Sequence, residues 1–336
     1  MKRITTSEVA KAAGVSIGAA SVVLNGGTKK IGVSEKTRAR ILRAAAKLGY
    51  RLNPAARAVR VGRFGSIALL LGKISRNSLV PGSRLSSILD ATESAALSLT
   101  LTRATDAQLS DERFLHDLLT RLYADGLLIA YNAELPAIFT KLLTRMRIPA
   151  VWLNAKLNQN AVYPDDRAAA RRLTENFIAA GFRDIVFINN KGDTHYSFFD
   201  RKEGYEDVLR ENGRVPQVIT AREDDADCRV YPEQFLDLFK KRSPRRAFIC
   251  YSSEQVEAIV DAAARRGQVP GKDFRIATFK TDPVIVRDIP IPTLLIDEQR
   301  LAAEAIDLLQ KRIAAPDIDL PSVSVPYQPA LAGLSR

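Results

Sequence analysis

The sequence predicts an all-α helix-turn-helix head joined to an α/β body of two doubly wound parallel sheets. Two observations carry that prediction: where the charge lies and how the apolar residues are spaced. Of 336 residues, the first 63 hold 14 Lys and Arg but only Glu8 and Glu35 as acids. The remainder balances 36 residues of each sign, so the whole formal charge of +12 belongs to the first fifth of the chain. A charge excess that serves solubility spreads over the surface; one gathered in a single segment is the footprint of nucleic-acid binding. Beyond that segment, short apolar runs alternate with amphipathic stretches, the pattern of strand and helix in a parallel sheet.

In the head, Thr6 or Ser7 is placed to cap a first helix through Glu8, Val9, Ala10 and Ala13, and Gly14 supplies the tight turn. Val15 plugs the corner. Ser16 then caps a second helix, whose Ala20, Val23 and Leu24 share one face and can pack on Val9, Ala10 and Ala13. Two short helices joined by a glycine turn make a helix-turn-helix. A third helix starts at Ser34, carries the stripe Ile41, Leu42, Ala45, Leu48, and ends at Gly49. Its outer face bears Lys36, Arg38, Arg40, Arg43 and Lys47, which suit phosphates better than base edges. After residue 50, "RLNPAARAVRVGR" reads as a conditional helix with Asn53 as N-cap and Pro54 preset at the first position. A helix of that length cannot persist alone in water and needs a partner.

The body offers strands at SIALLLG, LTLTRA, GLLIAY, PAVWLN, DIVFIN, near Val218, at AFICY, FRIATF and TLLID, and near Val323. Helices are predicted between them over 85–97, 114–123, 135–146, 166–180, 204–211, 232–240, 255–266 and 301–313. In such sheets ligands sit at the carboxyl ends of the strands.

Several classes are excluded by what the sequence lacks. No apolar run approaches a membrane span and no leader precedes the head, so a cytoplasmic protein is expected. Cys228 and Cys250 form no CxxC or Cys/His spacing, so they read as structural thiols, and neither metal nor cofactor is implied. There is no P-loop, GxSxG or HExxH, and His116 and His195 have no triad partners nearby, so no catalysis is expected. His195, Tyr196, Phe198 and Phe199 either line a pocket or belong to the core, and Trp152 packs within a strand.

The ordered set "SEVAKAAGVS", "SVVLNG", "VSEKTRARILRAAAKLGY" and "NPAARAVRVG" resembles the DNA-binding and hinge segment of the lactose-repressor/galactose-repressor family of bacterial transcription regulators. The body resembles the same family's two-lobed sensor domain, which is akin to periplasmic sugar-binding proteins. The resemblance implies a head over 1–50, a hinge over 51–63 and an effector-binding and dimerisation body over 64–336. Within the body it implies one lobe over about 64–164 and 297–325 and the other over about 165–296 and 326–336. It further implies a homodimer on a near-palindromic operator, one recognition helix per subunit in successive major grooves, and a small-molecule effector between the lobes. The chain shows no leucine-heptad extension after "LAGLSR", which favours a dimer over a tetramer.

Carried over residue by residue, the resemblance places Thr6, Ser16, Ile17, Gly18, Ser21, Val22 and Asn25 at DNA, with Ser16, Ser21 and Asn25 fit for phosphates. It places Ala56, Arg57, Val59 and Arg60 in a hinge helix that pairs with its dimer mate in the minor groove. Val59 stands where the family most often wedges a leucine, so a shallower kink is expected. At the first, second and sixth positions of the reading face, where relatives often carry large polar side chains, stand Ile17, Gly18 and Val22. None of these can bond a base edge bidentately, so the choice is between apolar contact with thymine methyls and a relaxed specificity.

For the effector, "DRKEGY" matches the family's Arg-x-x-Gly-Tyr motif and nominates Arg201, the alternative being an arginine that braces its own helix. Asp165 matches the acid at the entry to the second lobe, with Asp166 beside it leaving the register open. "GSRLSSI" puts Arg84 where the family has an aromatic stretch, Ser253 and Glu254 replace an Asn-Asp pair, and Lys280 replaces an Asp. Arg84, Arg201 and Lys280 together favour an anionic effector, a sugar acid or sugar phosphate over a neutral sugar, unless Lys280 pairs with Glu254 or Asp282. The chief rival is a DNA-binding architectural protein indifferent to ligand, which effector-dependent mobility on operator DNA separates. A transporter's solute-binding protein would need a leader and no basic head.

Overall fold

Thr5 stands three residues before Glu8, the spacing a capping box requires: its hydroxyl accepts the Glu8 N–H at 3.3 Å, and Glu8 Oε2 accepts the Thr5 N–H at 2.7 Å. Helix α1 (Thr6–Ala13) therefore starts one residue earlier than a Thr6 or Ser7 cap would allow. The computed structural model describes residues 4–25, 32–51, 62–72, 80–131, 135–190, 195–222, 229–243 and 245–328. The hinge helix expected from Asn53 onward, with Ala56, Arg57, Val59 and Arg60, lies outside the described residues, as does Cys228. The chain divides into two units, 1–65 with 123–125 and 66–122 with 126–336.

In the first unit Gly14 adopts φ 59° and ends α1; Ser16 then caps α2 (Ile17–Leu24), which is bent by 110° from α1. That angle lies in the usual helix-turn-helix range. Helix α3 (Glu35–Leu48) closes the head, and Val9, Ala10, Ala13, Ala20, Val23, Leu24, Ile41 and Ala45 form its core. Leu42 departs from the predicted stripe: it is 47% exposed, because Ile41 and Ala45 already fill the single turn-to-turn contact this small core offers.

The second unit holds two parallel sheets. The first comprises β1 (Ser66–Gly72), β2 (Ser98–Ala104), β3 (Gly126–Ala130), β4 (Ala150–Leu153), β5 (Ala161–Pro164) and β13 (Val323–Val325), in the order β13-β5-β4-β3-β1-β2. The second comprises β6 (Asp184–Asn190), β7 (Gln217–Ala221), β8 (Arg246–Cys250), β9 (Arg275–Lys280) and β12 (Thr293–Leu295), in the order β12-β9-β8-β6-β7. Between them run helices α4 (Gly82–Ser94), α5 (Asp106–Leu109), α6 (Glu112–Arg121), α7 (Ala137–Arg145), α8 (Asp166–Ala179), α9 (Tyr196–Glu211), a 3-10 helix (Pro232–Phe239), α10 (Ser253–Ala264) and α11 (Glu298–Ala314).

The chain passes between the sheets three times. It leaves the first sheet at α8 and returns with α11, whose Leu301, Ala305 and Leu309 pack with Ile67, Leu128 and Val151. After β13 it crosses once more: Tyr327 packs with Phe279 and Leu294, and the Gln328 N–H donates to Leu295 O at 2.9 Å.

Four differences from the sequence reading have local causes. Strand β5 pairs over three residues with β13 and two with β4, too short to show alternation. Strands β10 (Val284–Val286) and β11 (Ile289–Ile291) form a hairpin whose turn, Arg287 and Asp288, takes φ 51° and 62° without the Asn-Gly signal that usually marks such a turn. Phe235 and Phe239, four residues apart, are both buried in the 3-10 helix, so their spacing did not separate it from an α-helix. Helix α9 begins eight residues before Gly204, since its first two turns carry polar and aromatic groups rather than an apolar stripe.

Gly204 marks the closest approach of α8 and α9: a Cβ there would stand 2.4 Å from the Arg167 carbonyl oxygen. Helix propensity alone favours alanine by about 1 kcal/mol, but the fold opposes it. Gly204→Ala is expected to destabilise the protein by about 2 kcal/mol in urea titration, the range of overpacked sites. A second expectation concerns Tyr205, fully buried, whose hydroxyl donates to Ile185 O at 2.7 Å and accepts the Gln217 N–H at 2.9 Å. Burial pushes its pKa up to about 12. The unfolded chain loses this proton near pH 10, so the folded state holds more protons between the two values and stability falls as pH rises through that window. The loss amounts to about 3 kcal/mol, and Tyr205→Phe should flatten that part of the alkaline decline.

Candidate nucleic-acid face and inter-lobe cleft

The outward side of α2 is uncharged. Ile17 is 57% exposed, Gly18 is exposed, and Ser21, Val22 and Asn25 are half-buried. The three polar residues there are engaged within the helix. Ser16 Oγ accepts the Ala19 N–H at 3.2 Å, and Asn25 Nδ2 donates to Ser21 O at 2.6 Å. Thr6 is held as well, its hydroxyl 3.0 Å from that of Tyr50 at the end of α3. The cations stand on α3, where none of Lys36, Arg38, Arg40, Arg43 and Lys47 is paired with an acid among the described residues. Among the described residues, cations without an acidic partner on α3 thus stand beside an uncharged α2.

The carboxyl ends of the two sheets face one another. Ser83 Oγ at the start of α4 donates to Asp282 Oδ2 beyond β9 at 3.4 Å, and Lys156 Nζ meets Asp200 Oδ2 at 2.7 Å. His195 bonds Asn154 O beyond β4 through Nε2 at 2.9 Å while its Nδ1 faces Ser197 Oγ at 2.7 Å. The tautomer with its proton on Nε2 satisfies both contacts.

Arg201 is buried in this region, and each of its three guanidinium nitrogens donates one hydrogen bond within the protein. Nε donates to Asp166 Oδ1 at 2.6 Å, one terminal nitrogen to Tyr251 O at 2.9 Å and the other to the Tyr327 hydroxyl at 3.0 Å. The rings of Tyr251 and Phe279 lie 4.9 and 4.7 Å from it. Burial works against this charge, but the Asp166 carboxylate and the surrounding tyrosines outweigh it and drive the pKa above the usual arginine value. Of the two adjacent aspartates, Asp165 caps α8 by accepting the Ala168 N–H at 3.0 Å, and Asp166 faces Arg201.

Arg84 repeats the arrangement in the other lobe. Its Nε and a terminal nitrogen each donate to one oxygen of Glu298 at 2.8 Å, with both side chains about 5% exposed. Asp297 caps α11 just as Asp165 caps α8. The doublets Asp165-Asp166 and Asp297-Glu298 thus share one design, the first acid capping a helix at a crossing and the second holding a buried arginine. Sequence reasoning missed Asp166 as the partner and Glu298 altogether, although paired acids opening two predicted helices were a visible signal.

These pairs bear on the charge argument for an anionic effector without deciding it. Two of the three cations nominated for the cleft are neutralised by buried carboxylates. Lys280 forms no ion pair with Glu254 or Asp282, yet Glu254 stays ionised beside it. Burial pushes Glu254 up, and its own backbone N–H, the Lys280 charge and the Ser253 hydroxyl, donating at 3.1 Å, hold it below the usual carboxylate value. Cys250 is a buried free thiol, its pKa raised by burial.

A helix-turn-helix head on a body of two facing parallel sheets defines a class of ligand-responsive DNA-binding proteins. Residues 5–53 match the bacterial regulatory proteins of the lacI family, and residues 174–331 match a periplasmic binding protein-like domain. The chain is 29% identical to the ribose operon repressor of Halalkalibacterium halodurans, over 96% of this chain and 94% of that one. It is 25% identical to the maltose regulon regulatory protein MalI of Escherichia coli, over 93% of each. Among solved structures, the Lac repressor bound to ONPG in the repressed state superposes with a TM-score of 0.77 at 19% identity, covering 100% of both chains. The CelR–cellobiose complex gives 0.59 at 18%, covering 99% of this chain and 100% of that one. The chain belongs to the lacI family of bacterial regulatory proteins, whose members are transcriptional regulators rather than enzymes.

If Arg84 belongs to the fold rather than to the effector, Glu298→Gln should cost about 3 kcal/mol in urea titration, as expected when a buried pair loses one partner. The double variant Arg84→Met/Glu298→Leu should recover most of that loss.

Proposed function

We propose that the protein is an operator-binding transcriptional repressor of the bacterial cytoplasm, acting as a homodimer under the control of a small neutral sugar-like effector held between the lobes. The observation that carries the reading is the confinement of the entire formal charge to the helix-turn-helix segment, 14 cations against two acids over the first 63 residues. A protein built this way adheres to phosphates through its head and leaves its body free for another task. Relatives named for the ribose operon, the fructose operon and the maltose regulon support a carbohydrate as the signal. Internal pairing of Arg84 and Arg201 supports a neutral one.

Control then follows from linkage. An effector that binds one closure state of the lobes more tightly shifts the balance of those states. Residues 51–63, with Arg57 and Arg60 for phosphates and Val59 as the wedge, pass that shift to the DNA-bound heads. Polar ties between the lobes, Ser83 to Asp282 and His195 to Asn154, are the contacts such closure would exchange.

Selection from random duplex DNA should enrich a near-palindrome with one half-site per subunit, and affinity for it should fall steeply with salt as phosphate-bound counterions are released. Enrichment of no sequence, with binding indifferent to salt, would overturn the reading.

A further inference from the structure

Gly18 is a glycine that the fold of the described residues does not require. It stands in the first turn of α2, is absent from the residues of positive φ, and a Cβ built on it meets nothing nearer than Ser16 Oγ at 3.9 Å. The contrast with Gly14, which needs its left-handed backbone, and Gly204, which abuts a carbonyl oxygen, is plain. Alanine at position 18 would make the better helix. Nothing among the described residues accounts for glycine here.

Gly18 and Val22 are four residues apart and share one stripe of the helix, as do Ile17 and Ser21. Helical side chains lean toward the turn that precedes them, so Val22 leans over position 18. With no side chain at 18, the valine methyls border an open notch rather than a neighbour. Ile17 flanks it, 57% exposed. The result is an apolar notch at the end of the helix that a helix-turn-helix presents to base edges, on a segment whose charge fits only a polyanion. The one apolar group on a base edge in the major groove is the thymine C5-methyl.

We propose that α2 recognises thymine C5-methyl groups, one methyl entering the notch that Gly18 leaves between Ile17 and Val22. This rests on the reading of α2 as the groove-entering helix. Specificity then comes from shape and apolar contact rather than from hydrogen bonds, and the stability of the head is traded against its recognition at a single position.

The test uses the full chain and the duplex obtained by selection, with each thymine of the half-site replaced in turn by uracil, which removes only the methyl. The expected result is a loss of about fourfold in affinity at one or two positions, the value of one buried methyl group, and no change elsewhere. Gly18→Ala should lower affinity for the same duplex by about tenfold, since one added methyl fills the notch, while slowing amide exchange in α2 by up to about fivefold. A structural role for Gly18 would move both readouts the same way. Indifference to every uracil, or full affinity in Gly18→Ala, overturns the methyl contact and leaves the regulator reading intact. Failure to bind any duplex at low salt overturns the regulator reading, and this inference with it.

Discussion

A guanidinium can remain in a protein interior only if its charge is matched, and the two-lobed body meets that demand twice. Arg201 is met by Asp166, Tyr251 O and Tyr327, and Arg84 by both oxygens of Glu298. Both carboxylates open helices that begin where the chain passes from one sheet to the other, and Tyr327 lies on the third crossing. Among the described residues the crossings are the covalent links between the lobes, and two of them are tied to buried arginines. Removing one partner would leave a buried charge uncompensated, a cost of several kcal/mol.

The same pairing determines what the cleft can offer a ligand. Two of the three candidate cations of the cleft are committed to buried carboxylates, which is what supports the proposed neutral effector. The head is organised on the opposite plan: its cations on α3 have no acidic partner among the described residues, and α2 carries no charge. One part of the chain spends its arginines internally while the other keeps its cations for a partner. This contrast is the physical basis for assigning the body to sensing and the head to DNA.

Much of this was legible in the sequence, and the remainder failed for identifiable reasons. The helix-turn-helix was readable because Gly14, Ser16 and the spacing of Val9, Ala13, Ala20 and Val23 are local signals. The long strands were readable because runs such as SIALLLG and DIVFIN are buried on both faces. Strand β5 was not, since four residues carry no period, and the β10–β11 turn was hidden by a residue pair without the usual turn signal. At the cleft, the motif around Arg201 located the residue but not its role. That role depends on Asp166 and Tyr327, which lie 35 and 126 residues away and are brought to it only by the crossings.

Calorimetric titration of the full chain with neutral pentoses and hexoses, beside their acid and phosphate derivatives, tests the central claim most directly. The account predicts that a neutral sugar binds, and that its affinity does not change as salt is raised, because no net charge is exchanged with the cleft. Binding confined to the anionic derivatives and weakening with salt would contradict it, for it would mean that Arg84, Arg201 or Lys280 is released to the ligand.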